Sequence, residues 1–121
     1  MKESIRQIEN LLRLDADNLY LKLANSDGLV AFGASEGNEE TGKALGRTIL
    51  ADHIVELRGQ LCSRDEVREF IKSNEEIVSR DVILAVLDVA LSALGGPPVF
   101  VVTALIIKFG LRKICEGKVP R

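Results

Sequence analysis

At 121 residues the chain has the size of one domain, with no room for two full cores. Apolar residues make up 46% of it and charged residues 28%, which excludes a disordered polar tail; aromatics are 4% with no Trp, which leaves little for base stacking. The net charge of −2 divides unevenly, with 11 Lys and Arg against 16 Asp and Glu up to Asp81, and 5 against 2 from Val82 onward.

Residues 4–14 place Ile5, Ile8, Leu11 and Leu12 at three- and four-residue spacing among charged neighbours, which predicts a helix with one apolar stripe. Asp15 and Asp17 then offer a new N-cap, with Leu19 and Leu23 one turn apart on a second helix. An alternative for 19–32 is a β-hairpin. Leu19, Leu21 and Leu23 also alternate, Asn25-Ser26-Asp27-Gly28 is turn chemistry, and 29–32 could be the return strand. Helix is preferred because no other part of the chain supplies a sheet for an isolated hairpin to join.

Residues 33–42 are rich in glycine and polar side chains, and helical spacing returns over 39–61 through Ala44, Leu45, Ile49, Ile54 or Val55, and Leu57. Ser63-Arg64-Asp65-Glu66 has the form of a capping box opening a short helix with Val67, Phe70 and Ile71. Ser73-Asn74-Glu75-Glu76 repeats that signal. The composition then changes: 82–94 holds one charge, Asp88, and 99–107 holds none, with Gly95-Gly96-Pro97-Pro98 between them. Paired glycines end a helix and proline opens one. Two antiparallel helices follow, apolar nearly all round, the second running to Cys115. The expected fold is therefore all-α: one domain over 1–121, a bundle of about five to six helices in which amphipathic helices over 1–80 pack on an apolar helical hairpin over 81–116. The alternative is α+β with the hairpin near 19–32.

Residues that could carry chemistry are few. Gly37-Asn38-Glu39-Glu40-Thr41-Gly42-Lys43 has the G-x4-G-K skeleton of a phosphate-binding loop, and 82–88 resembles an apolar strand ending in an aspartate. But Ala44 stands where a hydroxyl should hold magnesium, and Glu39 and Glu40 would repel phosphates. His53, the only histidine, lacks the companions a zinc site needs. It is nine residues from Cys62 on the same helix, about 13 Å along the axis and too far for a nucleophile pair. No catalytic residue, cofactor site or metal site is expected.

The N-terminal residues lack the apolar run of a signal peptide, so a cytoplasmic setting is expected, with Cys62 and Cys115 reduced and behaving as small apolar residues. The late cations Lys108, Arg112, Lys113, Lys118 and Arg121 stand where helix C-termini favour positive charge, and nucleic acid is not an expected partner. What remains is a small soluble protein–protein interaction module, an adaptor, small subunit or inhibitor. Its expected contact surface is the stripe Val99, Val102, Ile106 and Phe109 on the second hairpin helix, used for a heteropartner or a twofold dimer. Asp88 in the first hairpin helix is a candidate buried polar group, but the preferred reading is that it points out of the bundle or takes a bond from Arg80, Lys108 or Ser92. The alternative is a membrane-active protein that inserts the hairpin 82–114, although the glycine–proline break leaves each half short of a span.

Overall fold

The computed structural model describes residues 2–26, 39–94 and 99–120, and these form seven α-helices with no strand among them. Helix α1 (Lys2–Leu12) buries Ile5 and Ile8 one turn apart. The Asp15 carboxylate then accepts a hydrogen bond from the Asn18 backbone N–H at 2.8 Å, satisfying an orphan donor at the start of α2 (Ala16–Ser26). Leu19, Tyr20, Leu23 and Ala24 make the buried face of α2. Residues 19–26 are thus helical, and the rest of the hairpin considered above, 27–32, lies outside the described residues.

Helix α3 (Glu39–Ser63) is continuous over 25 residues and turns Leu50, Ile54, Leu57 and Leu61 inward, leaving Val55 outside. It packs most intimately on α2. A Cβ added at Gly42 would come within 2.7 Å of Leu21 Cδ2, and one at Gly46 within 2.6 Å of the Tyr20 carbonyl carbon. Gly46 therefore lets the two helices approach backbone to backbone, and Gly42, four residues earlier on the same face, leaves room for the Leu21 side chain.

Two of the expected caps are not formed. Ser63 closes α3, its hydroxyl donating back to Gln60 O at 3.0 Å, and Arg64 takes the N-cap position of α4 (Asp65–Lys72) with no side-chain cap. The capping-box spacing is present, but the preceding helix holds Ser63 in its own last turn. Likewise Ser73 opens no helix. Its hydroxyl donates to Phe70 O at 2.6 Å, its N–H bonds to Glu69 O and Phe70 O, and it ends α4. An irregular connector over 73–79 follows. Ser79 then caps α5 (Arg80–Ala93), accepting from Val82 N–H at 3.4 Å.

The second hairpin helix stops earlier than expected. Helix α6 (Val99–Phe109) ends at Gly110, whose φ of +114° an L side chain rarely adopts, and a five-residue helix α7 (Leu111–Cys115) leaves in a new direction. This break takes the helix count above five to six. The turn after α7 is a Schellman motif at Gly117 (φ +95°), with Gly117 N–H on Ile114 O and Lys118 N–H on Lys113 O, both at 3.0 Å.

Helix α6 is the axis of the bundle: it touches α1, α2, α3, α5 and α7. That position explains its composition, since apart from the exposed Lys108 in its last turn nearly all of the helix meets a neighbour and needs no polar side chain. Its one buried polar group, Thr103, donates to Val99 O at 2.8 Å, so the hydroxyl is satisfied by its own helix. Ala85, Leu87, Val101, Ala104 and Leu105 are buried as expected of the hairpin, and Leu94 is half-buried. Leu91 is the exception at 48% exposed.

Cys62 and Cys115 are joined, Cα to Cα 5.8 Å, in a disulfide linking the end of α3 to the end of α7 across 53 residues of sequence. This overturns the expectation of two reduced cysteines. That expectation rested on the compartment, whereas the break at Gly110 turns α7 back onto α3 and brings the two positions together.

Candidate functional site

The stripe expected to serve as a contact surface lies inside the molecule. Val99 is 1% exposed and Val102 and Ile106 are 0%; only Phe109 is half-exposed, with the Lys113 ammonium 5.5 Å from its ring centre. The short N-terminal helices cover α6 more completely than their length suggested, because α1 and α2 both pack directly on it. Asp88 points out of the bundle and is not a buried polar group. It stands on the outer face of α5 with its side chain 63% exposed, and its carboxylate accepts from Arg64 at 2.8 Å. An apolar helix keeps one solvated strip when it lies at the edge of a bundle, and Asp88, Leu91 and Ser92 occupy it.

Neither chemical motif is assembled. Glu39 to Lys43 form the opening turns of α3, with Gly37 and Asn38 outside the described residues. Lys43 pairs with Glu40 at 3.3 Å and with Asp17 at 3.9 Å. The segment 82–88 is helix, not strand. His53 is half-buried on α3, and Cys62, being in a disulfide, is no nucleophile. Among the described residues no group of three His, Cys, Asp or Glu could hold a metal ion, and no helix is long and apolar enough to cross a membrane. Inserting the hairpin would moreover strip the bundle of its central helix.

The surface feature that stands out is acidic. Between α4, the connector and the first turn of α5 runs a groove of about 320 Å³, lined by Glu66, Glu69, Glu75 and Asp81 with Phe70 and Val82 as apolar floor. It continues past Glu66 and Asp81 into a second recess with Leu84, Ala85, Asp88 and Arg64. Arg64 is the cation of this strip, bound to Asp88 at 2.8 Å and to Glu66 at 3.7 Å. The hydrogen bond it donates to the Asp88 carboxylate raises the guanidinium above its ordinary pKa. On the other side of the connector, Ile77 is 85% exposed and borders a groove with Arg6, Arg13, Val78 and Ile83.

Arg112 of α7 holds the connector in place. Its guanidinium lies 4.5 Å from the Phe70 ring centre and donates to the carbonyls of Phe70 (2.9 Å), Ser73 (2.8 Å) and Glu75 (2.9 Å), with a longer bond to Ile71 O (3.4 Å). It thus satisfies carbonyls at the C-terminus of α4 and places a cation at the negative end of that helix. Arg58 of α3 does the same for the last turn, donating to Ile114 O at 2.7 Å and Lys118 O at 3.0 Å. Neither role was visible in the sequence, where nothing in the spacing ties Arg112 to a helix some forty residues earlier.

Comparison with protein-family models, with curated proteins and with solved structures finds no match.

Proposed function

We propose that the chain is a small, non-catalytic protein–protein interaction module whose acidic α4–α5 groove receives a basic, partly apolar segment of a partner protein. The observation that carries this is the groove itself: an apolar floor of Phe70 and Val82 between four carboxylates, beside a connector that presents Ile77 at 85% exposure. An apolar floor supplies affinity, and the carboxylates select the sign of the partner. A heteropartner is favoured over a second copy because two acidic grooves repel one another, and nucleic acid is disfavoured for the same reason.

The test is fluorescence anisotropy with an amphipathic Lys/Leu peptide and a scrambled peptide of equal composition. The amphipathic peptide should bind in a salt-dependent manner, and Glu69→Lys with Asp81→Lys should abolish binding. Equal binding of the scrambled peptide would reduce the groove to unspecific charge and overturn the proposal.

A cytoplasmic setting is proposed along with it. Disulfides in that compartment are chiefly transient or redox-sensing, so trapping the thiols of Cys62 and Cys115 in intact cells should find a mixed population. A pair found wholly oxidised would place the protein in an oxidising compartment instead.

A further inference from the structure

We infer that the Cys62–Cys115 disulfide is a redox-responsive clip that sets the geometry of the 73–79 connector through Arg112. Cys115 and Arg112 are three residues apart on α7, so one face of this helix carries both the covalent tie to α3 and the polar tie to α4. With five residues, α7 is far too short to be stable by itself. It enters through Gly110 at a positive φ and buries only Leu111 and Ile114.

What fixes α7 is therefore its attachments: the disulfide, the two Arg58 hydrogen bonds and the Arg112 bonds to Phe70, Ser73 and Glu75. The last two carbonyls belong to the connector. Ser73 and Glu75 line the acidic groove on one side of it, and Ile77 lines the neighbouring groove on the other. A change at Cys115 thus reaches both surfaces through one guanidinium.

Both cysteines are half-buried, within reach of a dithiol reductant. The first reductant thiolate attacks one sulfur, breaking the Cys62–Cys115 bond and forming a mixed disulfide. The second reductant thiol closes its own ring, so that two electrons and two protons pass to the protein as two thiols and the reductant leaves as a disulfide. Once the bond is cut, α7 keeps only polar ties and two apolar side chains. It undocks on the timescale of local opening, and Arg112 leaves the α4 carbonyls with it.

Hydrogen exchange on the full chain, oxidised and after reduction with dithiothreitol, tests this without any binding partner, so its outcome is separate from that of the peptide experiment. Reduction should quicken exchange at Ser73, Glu75 and Gly117 roughly tenfold or more beyond any change it causes in α1 and α2, and be reversed by reoxidation. In oxidised Arg112→Ala, Ser73 and Glu75 should already exchange fast, and reduction should add nothing there. The inference is overturned by quickening confined to Gly117, by equal quickening of the whole chain, or by a further increase at Ser73 on reducing Arg112→Ala. Cys62→Ser should reproduce the reduced pattern in the absence of reductant.

Discussion

Gly46 of α3 lies directly against the backbone of Tyr20 in α2, so close that an added Cβ would fall within 2.6 Å of the Tyr20 carbonyl carbon and 2.8 Å of its Cα. The obstacle is main chain, which cannot rotate away as a side chain can. Gly46→Ala should therefore cost about 1–3 kcal/mol, as overpacking does. Gly59, on the same helix but with nothing within 4 Å of such a Cβ, should gain about 0.5–1 kcal/mol on becoming Ala. Urea melts of the two variants should shift in opposite directions; a shift in the same direction would refute the packing account of Gly46.

Leu87 and Leu91 are four residues apart on α5, yet one is 1% exposed and the other 48%. Leu87→Ala should cost about 2–5 kcal/mol. Leu91→Ala should stay within about 0.5 kcal/mol of the parent. Asp88→Asn, on the same outer strip, should cost under about 1 kcal/mol because an exposed ion pair contributes little. The comparison is read in denaturant midpoints at constant slope.

Arg112→Lys should fail to replace Arg112. A guanidinium donates to several carbonyls from one plane while stacking on Phe70, and an ammonium cannot do both. Both Lys and Ala at this position are expected to lower stability by about 2 kcal/mol. Full retention in the Lys variant would show that charge alone suffices at the end of α4.

Closing a loop of 53 residues removes entropy from the unfolded chain worth about 4 kcal/mol in the loop-closure model. The oxidised protein should unfold at correspondingly higher denaturant than Cys62→Ser, and dithiothreitol should erase the difference.

Burial raises the Tyr20 phenol above its ordinary pKa of 10.0, against the opposing pull of the Arg47 guanidinium 5.8 Å from the ring centre. A raised folded pKa means the native state holds this proton more tightly. Stability is therefore unaffected below the unfolded value and falls as pH rises from about 10 through the folded pKa. Tyr20→Phe should show a shallower alkaline decline than the parent in thermal melts between those limits.

Helical elements were legible where local signals acted alone. Ile5 and Ile8 declared the face of α1, and Asp15 declared the start of α2. The signals failed where a residue's role depends on something distant. Ser63 has the right spacing for a cap but belongs to the helix before it. Gly110 looks like one more residue of an apolar helix until its positive φ is seen. Val99, Val102 and Ile106 form a real stripe, but whether a stripe on a helix that is apolar all round faces solvent depends on how many neighbours surround it. No periodicity contains that number. The acidic groove was hidden for the same reason: Glu66, Glu69 and Asp81 come together only because α4 and α5 fold side by side.

The central place of α6 also has a consequence in time. Helix α1 packs on α5 and α6, and both follow it in the chain only after α2, α3 and α4. At ordinary elongation rates about 100 residues take roughly 5–20 s, during which Ile5 and Ile8 have no native shelter. Helix α1 is thus exposed to chaperones, proteases and neighbouring nascent chains until α5 and α6 have followed it. A chain halted before Val99 would present the apolar faces of α1, α2 and α3 with the helix they were shaped to cover still missing.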